Sequence, residues 1–230
     1  MYKTYNLDNR EKWLEKTLNK LPAGYRILDA GAGELKYKKF CQHLNYVSQD
    51  FGQYDGIGNG TGLQTNSWDQ TRVDIISDIT SIPELDSAFD AVMCVEVLEH
   101  VPSPVDVLFE LKRLIRPEGY LVLTAPFNSL THFAPYFYQT GYSQYFYNYW
   151  LERLGFEIVD LQVNGNYFDY LVQELYRLPS IAKKYASEKL NWLESKAFGI
   201  VINALGRFST KDEGSSELLS FGLHVFAQKK

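Results

Sequence analysis

The sequence predicts an α/β fold, in which a mostly parallel β-sheet carries helices on both faces and a helical insert precedes the last strand. Short apolar runs, several of them followed by a glycine or an acidic residue, alternate with amphipathic segments along residues 8–163. Among these runs, Phe89–Val95 is almost wholly apolar, as in a central parallel strand whose two faces are both buried. Strands and helices that alternate in this way build parallel βαβ units.

The composition narrows the class of protein. A chain of 230 residues can bury one sizeable core with one elaboration. Its net charge of −5 argues against a nucleic-acid partner held mainly by phosphate contacts. We see neither a signal peptide nor an apolar run of membrane-spanning length, so we expect a soluble cytoplasmic protein without a membrane partner. Cys41 and Cys94 are then expected to be buried, reduced thiols.

Apolar spacing defines the elements of the first half of the chain. Residues 8–20 predict an amphipathic helix that packs on the sheet before the first strand. Residues 27–28 and 46–48 form two short strands, joined by a predicted crossover helix at Leu35–Leu44. Phe51–Arg72 is rich in Gly, Asn, Gln, Thr and Asp and predicts a long loop, which in a compact domain is usually functional or disordered.

The second half of the core continues the alternation of strands and helices. Its predicted elements are a strand at 73–76, a strand at 89–95, a helix at 105–114, a strand at 120–124, a helix within 141–155, a strand at 157–163 and a last strand at 222–228. Gly155 is a natural residue to end the helix before it.

About sixty residues separate the last two strands. We expect residues 1–163 and 222–230 to form the core and residues 164–221 to form a helical insert. The insert predicts two helices, Tyr167–Leu178 and Ser180–Phe208, separated at Pro179. Apolar residues at three- and four-residue spacing make a broad stripe on the second helix, which favours a packing face or a homodimer face over a ligand site.

A two-glycine turn follows the first strand. Gly31 and Gly33 leave the backbone bare, so that a ligand could lie against the main chain. Asp50 ends the next strand about twenty residues after the turn, where a βαβ unit places an acid for ribose hydroxyls. On position alone, Asp50 fits a solvated turn residue equally well.

Four motifs together resemble the class I S-adenosylmethionine-dependent methyltransferases. They are Leu28-Asp29-Ala30-Gly31-Ala32-Gly33, Ser77-Asp78-Ile79, the run Phe89–Val101 and the run Leu111–Leu121. The resemblance covers roughly residues 20–160 and returns at the last strand. It implies a Rossmann-like, seven-stranded, mostly parallel sheet whose last two strands form an antiparallel edge. Many members have a third glycine two places after the second, where this chain has Leu35.

The same resemblance implies S-adenosylmethionine as the cofactor and assigns its parts. It places Asp29, Gly31 and Gly33 on the methionine part, Asp50 on the ribose with Phe51 as a further cofactor residue, Asp78 and Ile79 on the adenine, and the main chain near Cys94 on the amino group.

The cluster Glu96-x-x-Glu99-His100 follows the central strand. On a helical turn its three side chains share one face, and two carboxylates with an imidazole suit a divalent metal. The cluster resembles the metal site of ubiquinone-pathway O-methyltransferases and of enzymes that methylate the 3′ end of small RNAs. Two other readings stay open: His100 as a general base, or Glu99 and His100 as polar groups that orient the loop.

A second cluster, Thr131–Tyr138, is dense in aromatic residues. Tyrosine rings with hydroxyl groups suit sugar rings or aromatic acceptors. His132 could be a fourth metal ligand or a base. The segment resembles a His-Phe-Ala-Pro-Tyr run in methyltransferases of surface-polysaccharide and deoxysugar pathways.

We therefore expect methyl transfer from S-adenosylmethionine to a small-molecule acceptor, as O-methylation of a sugar or related metabolite. Three alternatives remain open at this point. They are a metal-dependent RNA 3′-end 2′-O-methyltransferase, a nicotinamide-dependent oxidoreductase, and a non-catalytic S-adenosylmethionine-binding partner protein.

Overall fold

A computed structural model describes residues 2–230. The chain divides into two compact units. One contains Arg10–Gln162 and Gly222–Lys230, and the other contains Val163–Phe221 together with the residues up to Asn9. The predicted division placed residues 1–9 with the core. The structure groups the described part of this segment with the insert, because Tyr2 donates a 2.7 Å hydrogen bond to Asp169 and Asn6 donates to Gln173.

The larger unit is built on a seven-stranded sheet with the strand order β3-β2-β1-β4-β5-β7-β6. Its strands are β1 (Arg26–Ala30), β2 (Asn45–Asp50), β3 (Ile75–Ile76), β4 (Phe89–Val95), β5 (Ile115–Pro126), β6 (Phe156–Asn164) and β7 (Gly222–Lys229). The first five strands pair in parallel, and β7 runs antiparallel to β5. Backbone hydrogen bonds join residue 230 to 155 and residue 221 to 164, so β6 and β7 run in opposite directions.

Helices cover both faces of this sheet. They are α1 (Asn6–Leu18), α2 (Pro104–Leu114) and α3 (Gln144–Arg153). Trp13, Leu14 and Leu18 of α1 are buried on the face that carries Ile27 and Met93. Apolar residues of α2 and α3 are buried on the opposite face. The predicted fold class, an α/β sheet with helices on both faces, is confirmed.

The predicted crossover helix at Leu35–Leu44 is wrong. In that range the structure has only one turn of 3₁₀-helix, Lys38–Phe40. Leu35 has a φ of 61°, a left-handed conformation from which an α-helix does not continue. Cys41 and Leu44 are nevertheless buried, so their apolar spacing reflects burial without a helix. It follows that no α-helix N-terminus of this segment faces the glycine turn.

The long loop is longer than predicted because β3 is shorter. The strand predicted at 73–76 is reduced to Ile75–Ile76, and residues 51–74 contain no helix and no strand. An isolated bridge between Leu63 and His132 is the ladder contact that the structure gives this loop. Among residues 2–230, no helix combines the length and the apolar character needed to cross a bilayer.

The insert contains α4 (Tyr167–Tyr185) and α5 (Trp192–Ser209). The predicted break at Pro179 is wrong, because Pro179 lies inside α4. A proline inside a helix removes one backbone hydrogen bond and clashes with the preceding turn. On this exposed turn of α4 it does not end the helix. The break falls instead before Asn191, which caps α5 in a reciprocal pair with Glu194. The spacing of that capping pair was readable from the sequence.

Candidate active site

A cavity of about 490 Å³ opens at the carboxyl ends of β1 to β4. In an open parallel sheet this is the edge at which ligands bind. Six residues predicted to bind a cofactor line it: Gly31, Gly33, Asp50, Phe51, Asp78 and Ile79. Glu96 and His100 line it too, with an aromatic and polar group that sequence analysis did not assign to the cofactor: Gln49, Gln53, Tyr54, Trp68, Gln70, Ser77, Phe133, Tyr136 and Tyr138.

The glycine turn is packed by the protein's own side chains. Gly31 and Gly33 have φ values of 76° and 52°, which a residue with a Cβ adopts only with strain. A Cβ on Gly31 would lie 2.5 Å from the Val97 side chain, and one on Gly33 would lie 2.6 Å from the Trp68 ring. The two glycines are therefore required by Val97 and Trp68 as well as by any ligand that reaches the turn.

Asp50 ties three segments to one point of the cavity. Its Oδ2 accepts a 2.9 Å hydrogen bond from the Gly33 amide. Its Oδ1 accepts from the Gly52 amide at 3.1 Å and from Gln70 Nε2 at 2.6 Å. Asp50 is buried, with only 6% of its surface exposed, and these three donors satisfy its carboxylate. Its two oxygens together have about four acceptor positions, so one remains for a ligand hydroxyl.

Asp78 lines the same cavity one strand away from Asp50, after the end of β3. Its Oδ1 accepts from the Thr80 amide and the Thr80 hydroxyl, both at 2.8 Å, and this fixes the turn after β3. Within the described chain, both side-chain hydrogen bonds that Asp78 accepts use Oδ1. Oδ2 is therefore the oxygen that could accept from a ligand amino group.

Gln49 was missed by sequence reasoning. Its buried side chain donates to the Ser77 carbonyl at 2.7 Å and accepts from the Gly31 amide at 3.3 Å. It therefore joins the glycine turn to the strand end before Asp78. The signal available in the sequence was an amide residue beside Asp50 at the end of a strand.

Asp29 and Cys94 do not line the cavity. Asp29 lies two residues after Ile27 and, because successive strand residues alternate, points to the face of the sheet covered by α1. There it accepts a 2.6 Å hydrogen bond from Tyr46. The Asp29 carboxylate is thus buried against Tyr46, and its predicted contact with the methionine part stays a prediction. The Cys94 side chain lies in the apolar core, and the role predicted for its main chain stays a prediction.

Glu96 is held by Arg10, which sequence analysis did not consider. The two side chains form an ion pair, and Thr124 donates a 2.9 Å hydrogen bond to Glu96. Burial raises the pKa of Glu96, but the charge of Arg10 and the hydrogen bonds from Thr124 and Arg10 outweigh it and hold the pKa below its ordinary value. The Glu96 carboxylate is therefore ionised and already paired.

The structure gathers Glu99, His100 and His132 into one group, without Glu96. One ligand atom from each lies within 4.8 Å of the others. Glu99 Oε1 is 3.7 Å from His100 Nε2 and 4.0 Å from His132 Nε2. The Nδ1 atoms of the two imidazoles lie 2.6 Å from the Tyr136 carbonyl and 2.8 Å from the Leu130 carbonyl. Because a carbonyl only accepts, each Nδ1 carries a proton that it donates to that carbonyl.

Electrostatics keep Glu99 and His100 of this group uncharged. Burial raises the pKa of Glu99 well above its ordinary value, and the charge of Glu96 raises it further. Burial lowers the pKa of the His100 imidazole to about 4, and His132 acts in the same direction. Glu99 is 1% exposed, and its Oε2 has no hydrogen-bond partner among the described residues. A buried polar atom without a hydrogen-bond partner is costly.

Aromatic rings form one wall of the cavity around Phe133. The Phe133 ring stacks on Tyr54 with centroids 4.7 Å apart and on His100 at 5.1 Å. Trp68 meets it edge-on at 5.2 Å. Tyr54 and Trp68 come from the long loop after β2, whereas Phe133 follows β5. The wall therefore exists only when two segments far apart in sequence are held together.

Backbone hydrogen bonds hold these two segments together. The Leu63 amide donates to the Thr131 carbonyl, and the Phe133 amide donates to the Leu63 carbonyl, both at 3.0 Å. This parallel bridge faces Leu63 with His132. The long loop after β2 thus positions both a histidine of the polar group and a ring of the aromatic wall.

A family model described as a methyltransferase domain matches residues 5–161 of the chain, well over half of its length. The chain belongs to the class I S-adenosylmethionine-dependent methyltransferase family. For this methyltransferase the cavity at the carboxyl ends of the strands is the candidate cofactor and acceptor site. Residues predicted to bind the cofactor and residues predicted to act on the acceptor both line it.

A curated relative of the methyltransferase is the ubiquinone biosynthesis O-methyltransferase of Xanthomonas oryzae pv. oryzae. It is 31% identical over 105 residues, which cover 44% of this chain and 43% of the relative. The ubiquinone biosynthesis O-methyltransferase of Dechloromonas aromatica is 29% identical over 118 residues, covering 50% and 49%. The chain thus matches about half the length of these relatives.

Solved structures share the fold of the methyltransferase at low identity. A SAM-dependent methyltransferase from Archaeoglobus fulgidus superposes with a TM-score of 0.55 and 14% identity, covering 96% of this chain and 94% of the other. The [4+2]-cyclase SpnF superposes with a TM-score of 0.56 and 16% identity, covering 96% and 80%. Since a cyclase shares the fold, the reaction must be argued from the site.

Asp29 should make the stability of the methyltransferase fall as the pH rises. Burial raises the pKa of Asp29 from 3.8 to about 7, against the hydrogen bond from Tyr46 and with help from Asp50. Between about pH 4 and about pH 7 the Asp29 carboxyl keeps its proton in the folded state but loses it in the unfolded state. The free energy of unfolding therefore falls as the pH rises through that window. Asp29→Asn should therefore gain about 2 kcal/mol over wild type between pH 5 and pH 8 in urea unfolding.

Asp74→Asn is the control for this prediction. Hydrogen bonds from Ser48 hold the pKa of Asp74 below its ordinary value, so its carboxylate is ionised across the same window. This variant should lose stability about equally at both pH values. An Asp29→Asn gain that is the same at pH 5 and pH 8 would contradict the assignment.

Gly62 should be far less replaceable than Gly60. Both residues have positive φ, 70° and 75°, but a Cβ on Gly62 would lie 2.5 Å from the Thr131 carbonyl, and one on Gly60 meets nothing within 4 Å. Gly62→Ala should therefore pull the long loop away from residues 131–133 and cost about 1–3 kcal/mol more than Gly60→Ala. Thermal unfolding of both variants measures this, and equal losses would show that the bridge is not under this steric control.

Proposed function

We propose that this methyltransferase transfers the methyl group of S-adenosylmethionine to a hydroxyl oxygen of a small acceptor. One observation carries the proposal: a single cavity joins the glycine turn, Asp50 and Asp78 on one side to His100 and the aromatic wall on the other. The first side offers the donors and acceptors that a nucleoside needs. The second side offers rings and a neutral imidazole for the acceptor.

The residues present fit the cofactor. Asp50 has acceptor capacity for ribose hydroxyls, and Asp78 Oδ2 is oriented by its turn to accept from the adenine amino group. Ile79 is buried beside it, next to the adenine position. S-adenosylmethionine supplies an activated methyl group on a sulfonium, so the transfer needs little covalent help from the protein. The chain's main task is to hold the acceptor oxygen in line with the methyl–sulfur bond.

His100 is the residue that we assign to the acceptor proton. Its Nδ1–H is anchored on the Tyr136 carbonyl, which fixes the ring and leaves Nε2 as a proton acceptor. With a pKa of about 4 the imidazole is uncharged at neutral pH, so it is in the form that can accept. Its stacking on Phe133 keeps the ring at the cavity wall.

We further propose a second state of this group, in which Glu99, His100 and His132 hold a divalent metal. In that state His100 Nε2 would be a metal ligand and would not take the acceptor proton. A carboxylate and two imidazole nitrogens are a common donor set for Zn²⁺, Mn²⁺, Fe²⁺ and Co²⁺. The orphaned Glu99 Oε2 supports the fit, since a cation would replace the proton that burial otherwise holds on this acid. A metal bound there would supply a Lewis acid that lowers the pKa of an acceptor hydroxyl. The similarity to ubiquinone biosynthesis O-methyltransferases supports oxygen as the methylated atom.

The aromatic wall favours a ring-shaped acceptor. Flat rings such as Phe133 and Tyr136 pack against the apolar faces of sugars and aromatic compounds, and a tyrosine hydroxyl such as that of Tyr136 can bond to a ring substituent. The Tyr54 hydroxyl donates instead to Gln64 at 2.7 Å. A sugar or a related cyclic metabolite that carries a free hydroxyl group is therefore the acceptor class that we propose. The aromatic rings and histidines that line the cavity do not form the extended basic surface that binding an RNA backbone requires, so they favour a small acceptor over RNA.

Asp78 should contribute directly to cofactor affinity. Asp78→Ala removes the proposed adenine acceptor, so affinity for S-adenosylhomocysteine should fall by about ten- to a hundredfold. Isothermal titration calorimetry measures this. Asp86→Ala removes an exposed carboxylate that does not line the cavity and should bind like wild type. Equal affinity of Asp78→Ala and wild type would remove Asp78 from the site, and no binding by wild type would end the cofactor assignment.

Metal dependence should follow the three-residue group. Treatment with a chelator should abolish methyl transfer to a panel of hydroxylated sugars, and Mn²⁺ should restore it. His132→Ala should lose Mn²⁺ binding, read by electron paramagnetic resonance, while it keeps its affinity for S-adenosylhomocysteine. His43→Ala, outside the group, should behave as wild type. Activity that survives the chelator would leave His100 as a base without a metal.

A further inference from the structure

The second helix of the insert, α5, presents an apolar stripe to solvent. Four large side chains on it are between 48% and 71% exposed: Leu193, Ile200, Val201 and Phe208. At 100° per residue they fall within an arc of about 100°, and at 1.5 Å per residue they span about 22 Å along the helix axis. The stripe is therefore continuous in direction and length.

The opposite face of α5 packs against the rest of the insert unit. Ile202 and Gly206 are buried there, and a Cβ on Gly206 would lie 2.5 Å from the ring of Tyr2. The helix thus has one apolar face that packs inside its own unit and a second that is largely exposed, where Phe208 alone contacts another ring, that of Phe168 with centroids 5.6 Å apart. The second face is not explained by the core of that unit.

The insert 164–221 as a whole has seven Lys or Arg and seven Asp or Glu residues, but its basic residues are concentrated before and within α5. Residues 178–211 carry six Lys or Arg residues and two Glu residues, a net charge of +4, whereas the whole chain carries −5. Lys196 and Arg207 flank the stripe on one side of the helix. At the start of the helix the 67% exposed Trp192 lies under the Lys196 ammonium, 4.0 Å from the ring centroid.

These charges decide between two occupants of the stripe. Two copies of the chain meeting through the same face would bring two segments of charge +4 together, which opposes self-association. An anionic lipid surface is complementary to both features. Aliphatic residues enter the boundary of the acyl chains, lysine and arginine stems reach up to the headgroups, and a tryptophan sits at the interface.

We propose that α5 lies on anionic membrane surfaces, with Leu193, Ile200, Val201 and Phe208 buried in the lipid boundary. The sequence predicted no membrane partner because no segment is long enough to span a bilayer. A helix that lies in the plane of the interface needs no such length. The inference does not depend on the proposed reaction.

Vesicle sedimentation of the full chain tests the proposal. Wild type should bind vesicles of phosphatidylcholine with phosphatidylglycerol, should release in high salt, and should bind pure phosphatidylcholine about tenfold or more weakly. The double variant Leu193→Ser, Ile200→Ser should bind the anionic vesicles about ten- to a hundredfold more weakly. Lys196→Ala, Arg207→Ala should reduce the preference for anionic lipid.

Matched controls separate surface loss from misfolding. Leu85→Ser, Leu218→Ser also removes two exposed leucines, but outside α5, and should bind vesicles like wild type. Circular dichroism melts should be the same for all variants. Absence of vesicle binding, or equal binding to neutral and anionic vesicles, would overturn the proposal. So would a dimer in sedimentation equilibrium that Leu193→Ser, Ile200→Ser dissociates while vesicle binding is absent.

Discussion

The Asp50 carboxylate is the interaction on which the site depends. It accepts from the glycine turn through Gly33, from its own turn through Gly52, and from the long loop through Gln70. Charge-assisted hydrogen bonds of this kind are the strong ones, and a buried carboxylate tolerates burial only with such donors. Because Asp50 ends β2 beside β1, the parallel sheet itself brings these three segments to one corner of the cavity. The open acceptor position that remains is available to a ligand.

A second dependence runs through the long loop after β2. It contributes Gln70 to Asp50, Trp68 to the glycine turn, and Leu63 to the bridge with the segment of His132. The cofactor side and the acceptor side of the cavity are therefore closed by one loop. In place of a regular crossover helix between β2 and β3, this methyltransferase has a segment that contacts both halves of its site.

The sequence predicted the sheet and the residues at the strand ends that line the cavity, but it did not predict which side chains pair with one another. Phe89–Val95 could be bounded correctly because a strand buried on both faces is a plain apolar run, and the glycine turn, Asp50 and Asp78 follow strand ends that a parallel sheet must collect. The pairing of Glu96 with Arg10 could not be read, because nothing local links residues 86 positions apart. His132, predicted as a possible fourth ligand, lies in the polar group, whereas Glu96 does not because Arg10 pairs with it. The crossover helix failed because Leu35 turns left-handed, which apolar spacing does not report.

A crystal structure of the chain with S-adenosylhomocysteine tests the central claim most directly. The account expects the adenine beside Asp78 and Ile79, the ribose hydroxyls on Asp50, and the thioether directed towards His100 and the aromatic wall. Density for the ligand outside this cavity, or a cavity in which Trp68 and Val97 still cover the glycine turn while the ligand lies elsewhere, would contradict it.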